Sequence, residues 1–173
     1  MSLNFKKLLC NVKAFVFDVD GVFSHNVLLH PSGEILRSMN IKDGFAVQYA
    51  VKKGYLIAII SGGKCDAVRE RFKNLGVSDI YLQSHNKIDD FDDFLSKYQL
   101  QSEDVLYMGD DLPDYEIMKR VGVPTCPADA VEEIKSISVY VSHKTGGEGC
   151  VRDIIEQVLR VQGQWMHPEA FKW

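Results

Sequence analysis

Residues 12–20 read VKAFVFDVD, five apolar residues broken only by Lys13, then two aspartates one residue apart. A run so rich in β-branched and aromatic side chains predicts a strand buried on both faces, as in a parallel sheet. Its end in acid places Asp18 and Asp20 at the carboxyl edge, where open α/β sheets bind ligands. The pattern recurs downstream. Leu56–Ile60 (LIAII) ends at Ser61-Gly62, Asp79–Leu82 is a short third run, and Val105–Met108 (VLYM) ends at Gly109-Asp110-Asp111. Val123–Cys126 and Val139–Val141 are weaker strand candidates.

Helical patterns separate these runs. Cys65, Val68, Phe72 and Leu75 recur at helical spacing, as do Ile88, Phe91, Leu95 and Tyr98, and then Val151, Ile154, Ile155, Val158 and Leu159. Those stripes are core-facing surfaces. Buried strands alternating with amphipathic helices predict a doubly wound, Rossmann-like α/β fold with a parallel sheet. One segment breaks the alternation. Residues 22–42 look like two strands around Pro31-Ser32-Gly33, a β-hairpin inserted directly after the first acidic motif. The tail from about residue 162 to 173 shows no clear period and holds Trp165 and Trp173.

The 173 residues suit one α/β domain spanning 1–173. The net charge of −4 argues against nucleic-acid or anionic-membrane partners. An anionic substrate would then need a local basic pocket or a metal. No C-x-x-C pair occurs among Cys10, Cys65, Cys126 and Cys150, so reduced thiols in a cytoplasmic protein are expected. Lys6 and Lys7 interrupt what would be the apolar part of a leader, and no apolar run approaches membrane-spanning length.

Asp18, Asp20, Ser61, Gly62, Lys87, Asp110, Asp111 and Asp114 converge on one sheet edge in this fold. Paired carboxylates repel unless a cation neutralises them. Mg²⁺ prefers oxygen ligands and takes one or two carboxylates plus phosphate oxygens. Asp18, Asp110 and the backbone carbonyl of Asp20 are the expected metal ligands. A carboxylate can attack phosphorus to form a covalent intermediate, which makes Asp18 the candidate nucleophile. Asp20 is placed to give the leaving group its proton and then activate water. Ser61, the Gly62 amide and Lys87 can hold the remaining phosphate oxygens.

Taken together, DVDGV at 18–22, ISG at 60–62, Lys87 and GDDLPD at 109–114 resemble the four motifs of the haloacid dehalogenase superfamily. The resemblance covers nearly the whole chain. The hairpin, KDGFAV at 42–47, ISGGKCDAVRERFKNLGV at 60–77, VGVP at 121–124 and GGEGCVRDIIEQVL at 146–159 are similar to the small cap-less branch that contains the 3-deoxy-D-manno-octulosonate 8-phosphate (KDO 8-phosphate) phosphatases. The resemblance implies a haloacid dehalogenase-type fold without a cap domain. It implies a Mg²⁺-dependent enzyme acting on a small sugar-acid phosphate in lipopolysaccharide precursor synthesis. It also implies a homotetramer with the hairpins at its centre and a neighbouring subunit that helps close the site; a neighbour's tail, through Trp165, is expected to approach it. Three positions depart from the branch. Asn86 stands where Asp often precedes the motif lysine, and Phe45-Ala46 replaces part of a DGxG run. Gly63 matches neither the Arg of many octulosonate phosphatases nor the Glu of a branch acting on a nine-carbon sialic-type acid phosphate (KDN 9-phosphate), which is the alternative substrate.

Further contacts are read with bland alternatives beside them. Arg71 suits a substrate carboxylate or a solvated helix face, and Lys64 is similar. Arg152 suits substrate or a salt bridge. Arg37 and Lys42 read as surface charge. The Gly146–Gly149 run is either a plain loop or a close backbone approach to an anion. A signalling receiver uses similar residues but places an adjacent acid pair after the first strand, whereas here DxD comes first and Asp110-Asp111 follows the fourth. A catalytically silent scaffold is disfavoured by four intact motifs.

Overall fold

The computed structural model describes residues 5–172. A short helix α1 (Phe5–Leu9) leads into β1 (Ala14–Phe17). A hairpin follows, β2 (Val27–Leu29) and β3 (Ile35–Arg37). Then come α2 (Ile41–Lys52), β4 (Leu56–Ser61), α3 (Asp66–Asn74), β5 (Asp79–Leu82), α4 (Lys87–Tyr98), β6 (Val105–Met108), α5 (Tyr115–Met118), β7 (Val123–Cys126), α6 (Glu132–Ile137), β8 (Tyr140–Val141) and α7 (Cys150–Val161). Strands β5-β4-β1-β6-β7-β8 form one sheet in that order, every pairing parallel. Strands β4 and β5 lie on one side of β1 and β6, β7 and β8 on the other, so the order reverses at β1 and a crevice opens at the carboxyl ends.

Strand periodicity divides the core in two. Phe15, Phe17, Ile57, Ile59, Leu106 and Met108 face one side, where α2, α3 and α7 supply Val47, Phe72, Ile154 and Val158. Ala14, Val16, Ala58, Ile60, Val105 and Tyr107 face the other, under Phe91 and Phe94 of α4 and Ile134 of α6. Both faces are covered, which is why these strands read as continuous apolar runs. Among the described residues, no helix is long and apolar enough to cross a membrane, and all four cysteines are free thiols.

Helix α2 has no clear helical period in the sequence, because Gly44 interrupts its first turn and the hairpin pattern runs into it. The Asn40 side chain caps it by accepting from the Lys42 amide at 2.8 Å. The tail is held by contacts within its own chain. Trp165 packs on its own chain, edge-on to Tyr49 at 5.6 Å and beside the guanidinium groups of Arg152 (5.3 Å) and Arg160 (5.6 Å). The Tyr49 hydroxyl donates to the Gln164 carbonyl at 2.9 Å, and Lys53 lies 2.9 Å from His167 and 3.1 Å from Glu169. A half-buried indole is better satisfied by this aromatic and cationic cradle than by solvent. Trp173 lies outside the described residues.

Candidate active site

The ends of β1 and β6 bring the acids together. Asp18 is still on the ladder, its amide donating to the Met108 carbonyl at 3.1 Å. Beyond it the chain turns sharply through Gly21, whose φ of +88° favours glycine. A Cβ there would sit 2.0 Å from Asp110 Oδ2, so Gly21 also makes room for the second acid. Gly109 serves the same end, because a Cβ on it would meet Asp114 at 2.4 Å. Ligand oxygens of Asp18, Asp110 and Asp114 all lie within 4.8 Å of one another.

Lys87, the first residue of α4, enters this cluster from the neighbouring loop. Its ammonium lies 3.0 Å from Asp18 Oδ2 and 2.7 Å from Asp114 Oδ1. Asp114 is spent on its own surroundings. Oδ1 accepts from Lys87 and from the Tyr107 hydroxyl at 2.6 Å, and Oδ2 accepts from the Asp110 amide at 3.1 Å. Asp111 accepts from the Leu112 amide and shares a capping box with Asp114. Asp114 therefore orients Lys87 and the β6 loop, and Asp111 caps the turn that follows.

The electrostatics separate the acids. Burial, and then the charge of Asp114, push the Asp18 carboxyl up to about 7 despite Lys87. Burial, and then the charges of Asp18 and Asp114, push Asp110 to about 7 as well. Burial lowers and the two acids raise the Lys87 ammonium, and the acids win. One lysine does not neutralise three carboxylates in a shared pocket. The described hydrogen bonds leave the Asp110 carboxylate unused. Asp18 and Asp110 thus offer oxygen donors at a site short of positive charge, which fits a hard divalent cation.

Asp20 has a different neighbourhood. Arg37, at the end of β3, reaches it through two hydrogen bonds, Nε to Oδ1 at 2.7 Å and Nη2 to Oδ2 at 2.9 Å. Ser24 Oγ donates to Oδ1 at 2.9 Å. Burial raises the Asp20 carboxyl, but these bonds outweigh it and hold it below the usual range. The reading of Arg37 as surface charge is corrected here, since its side chain is 8% exposed. A basic residue at a hairpin end carries no local signal of a partner 17 residues back, and only the fold of the hairpin onto the motif reveals it.

The other expected residues divide. Ser61 is buried at the end of β4, its Oγ accepting from the Gly63 amide at 3.3 Å. Gly62 and Lys64 are exposed beside it. Arg71 lies against α2, where a Cβ on Gly44 would be 2.5 Å from its Nη2, and borders a hollow under Ile35, Leu36 and Met39. Arg152 is not brought to the acids. It pairs with Glu156 at 3.4 Å and stacks over Phe45 and Trp165. Its amide donates at 2.6 Å to Asp43, which tethers the start of α7 to α2. Asp43 is fully buried, and burial pushes its carboxyl to about 6. The Gly146-Gly147 pair approaches backbone closely, and the Gly146 amide donates to the Asp129 carboxylate at 2.8 Å. A Cβ on Gly146 would be 1.9 Å from the Gly21 carbonyl, and one on Gly147 2.7 Å from the His25 amide.

Comparison with known proteins agrees with this geometry. Residues 76–154 match the model of the haloacid dehalogenase-like hydrolases. The 3-deoxy-D-manno-octulosonate 8-phosphate phosphatase of Salmonella typhi is 36% identical over 155 residues, 89% of this chain and 82% of that protein. The crystal structure of the Yersinia pestis phosphatase of that name superposes with a TM-score of 0.90 at 30% identity, covering 92% of this chain and 87% of that one. A Moraxella catarrhalis phosphatase, solved in complex with magnesium, phosphate and KDO, does so at 0.90 and 28% identity, covering 93% of each chain. With the acid cluster at the sheet edge and relatives aligned along most of its length, the chain belongs to the 3-deoxy-D-manno-octulosonate 8-phosphate phosphatase family of the haloacid dehalogenase superfamily.

Proposed function

We propose that this chain is a Mg²⁺-dependent phosphomonoesterase that hydrolyses KDO 8-phosphate to KDO and phosphate through an aspartyl phosphate on Asp18. The observation that carries the reading is the pair of the buried Asp18 and the half-buried Asp110 beside Lys87, two acids short of positive charge at a sheet edge. The Moraxella catarrhalis relative, solved with magnesium, phosphate and KDO, supports the choice of metal and substrate.

Asp18, Asp110 and the Asp20 carbonyl would hold the metal. When bound, it supplies the charge that lets an anionic nucleophile approach an anionic phosphoryl group. An Asp18 oxygen attacks phosphorus as the bond to the sugar oxygen breaks. Asp20, in the protonated form that the negative charge of the arriving phosphate favours, gives the leaving alkoxide its proton, then takes one from the water that attacks the phospho-aspartate. That second displacement frees the Asp18 carboxylate and inorganic phosphate. Lys87, Ser61 and the Gly62 amide bind the non-transferring oxygens. Lys87 is held for this by Asp114, and removing one partner of such a buried pair strands the other charge.

The substrate lies above Asp18, near Gly62 and Gly63, with Lys64, Arg71 and Arg152 as the outer cations. In a single chain Arg152 makes no described contact with the acids, so a role for it requires a neighbouring subunit. Val27, Leu28, Leu29, Ile35 and Leu36 of the hairpin are exposed. Burying them in a homotetramer with the hairpins central would also roof the site and exclude water.

The deciding measurement is turnover of eight- and nine-carbon sugar-acid phosphates side by side with Mg²⁺. A kcat/KM at least about tenfold higher for KDO 8-phosphate, worth about 1.4 kcal/mol, is expected. A preference for the nine-carbon acid would replace the substrate, and no turnover of either would defeat the reading.

A further inference from the structure

Two consecutive residues at the end of β4, Gly62 and Gly63, carry no side chain, so recognition of a substrate above them falls to their neighbours. We propose that Gln83, which is hydrogen-bonded to this loop, is a specificity-determining residue whose side-chain amide binds the hydroxyl-bearing chain of the sugar acid. The proposal rests on the sugar-acid phosphatase reading and adds a residue to the same site.

The first observation is the backbone of Gln83. Its φ of +59° lies in the left-handed region that residues with a side chain rarely adopt. Two other non-glycine residues share this feature among the described residues, and both are accounted for locally. Gln99 ends α4 as its left-handed cap, and Met166 lies in a turn of the tail. Gln83 follows β5 at the carboxyl edge of the sheet and caps no helix. A residue held in such a conformation by its surroundings is a pointer to a ligand site.

The second is what holds it. The Gln83 amide donates to the Gly63 carbonyl and the Ser84 amide to the Ser61 carbonyl, both at 3.1 Å. These bonds carry the pairing of β4 with β5 past its last register pair, Ser61 with Leu82. Gln83 is thereby locked to the loop that carries Ser61. A Cβ on Gly63 would lie 3.5 Å from Asp20 Oδ2 and 3.6 Å from Ser61 Oγ. The residue bonded to Gly63 therefore adjoins the groups that meet the phosphate.

The third is a pair of unspent polar groups. Gln83 is exposed, and none of the described hydrogen bonds uses its side-chain amide. The next side-chain oxygen, Ser84 Oγ, is buried without a partner. Left-handed backbone and an unmatched hydroxyl are both costs to the free chain, so this segment is not shaped for its own best hydrogen bonding. An amide side chain offers donors and an acceptor together, which suits hydroxyl groups that both give and take hydrogen bonds. Lys64, exposed on the same loop, offers donors only.

The test uses the full-length, Mg²⁺-loaded protein and two substrates. KDO 8-phosphate carries the hydroxyl chain, and p-nitrophenyl phosphate does not. Gln83→Ala and Gln83→Gly should each raise KM for the sugar-acid phosphate about fivefold or more, the size of one lost neutral hydrogen bond. KM for the aryl phosphate should move far less, and kcat on the sugar-acid phosphate should stay within about twofold. Gln83→Asn keeps the amide and tolerates the left-handed backbone, so its KM should fall between Gln83→Ala and the parent. Thermal melting reads the backbone separately, because glycine adopts this conformation freely. Gln83→Gly should melt about 2 °C or more above Gln83→Ala. A sugar-acid KM unchanged in both variants would overturn the proposal, as would equal rises on the two substrates or a Gln83→Gly protein that melts below Gln83→Ala. None of those results would alter the parent's own choice of substrate. A parent that prefers the nine-carbon acid would defeat the substrate assignment alone. Gln83→Ala should then raise KM for that acid, and an unchanged value there would overturn the role of Gln83.

Discussion

Asp18, Lys87 and Asp114 at the sheet edge are each no more than 8% exposed, and every one has a charged partner in the same chain. In the hairpin, ten residues from Asp18 in sequence, Leu28 and Leu29 are 61% and 79% exposed and touch no core. The contrast is between polar groups taken out of water and apolar groups left in it. Polar groups are buried where chemistry needs them and the scaffold can support them. Apolar groups on a short two-stranded ribbon are unfavourable in water unless something covers them. The sheet edge is complete within one chain apart from a cation, whereas the hairpin is incomplete without a surface to meet. Arg37 joins the two regions.

The contrast is broken most sharply at Asp18. Asp18→Asn should reduce phosphate release to background, since the amide is a poor nucleophile and a weak metal ligand. The fold should survive, because one member of a repelling cluster is removed. Far-UV circular dichroism and a colorimetric phosphate assay check both halves. Activity within about tenfold of the parent would rule out Asp18 as nucleophile.

A smaller effect is expected from the hairpin. Leu28→Asp with Ile35→Asp should dissociate the proposed homotetramer in light scattering without unfolding the chain, as neither side chain belongs to the core. KM for the sugar-acid phosphate should rise more than KM for p-nitrophenyl phosphate, because the small ester depends less on a roofed site. An unchanged mass in solution would remove the hairpin from the interface.

The mildest test is thermodynamic. Asp18 and Asp110 are raised to about 7 in the folded chain, above their unfolded value of about 3.9. A carboxyl raised by folding favours the folded state below its unfolded pKa, and that benefit is lost as pH climbs through the folded value. Metal-free protein should therefore melt progressively lower from about pH 4 to about pH 7 through these two groups. Mg²⁺ should oppose the loss, and Asp110→Asn should flatten it. Calorimetry with EDTA and with Mg²⁺ would show this. A metal-free Asp110→Asn protein with the parent's pH slope would mean that the two acids do not repel as described.

Much of this was readable in advance. Phe15, Val16 and Phe17 announced a two-sided strand, and Ile57–Ile60 and Val105–Met108 did the same, because burial on both faces leaves no polar alternation. Asp18 and Asp110 could be paired from motif order alone. Helix α2 is hard to read because Gly44 weakens its start and it follows directly on the hairpin pattern. The role of Arg37 is not legible locally because its partner Asp20 is distant in sequence. Arg152 suggested a substrate contact from its place in the first turn of α7, yet its side chain turns to Glu156, Phe45 and Trp165.

The parallel sheet, its acidic carboxyl edge and the presence of a hairpin are legible in the residues alone, because each is written in short-range periodicity and turn chemistry. Tertiary structure alone decided which cation meets which acid. Lys87 goes to Asp18 and Asp114, Arg37 goes to Asp20, and Arg152 goes to neither. Charge pairing acts across a few ångströms of space and depends on where loops from separate strands arrive. That information is held in packing and is absent from local pattern.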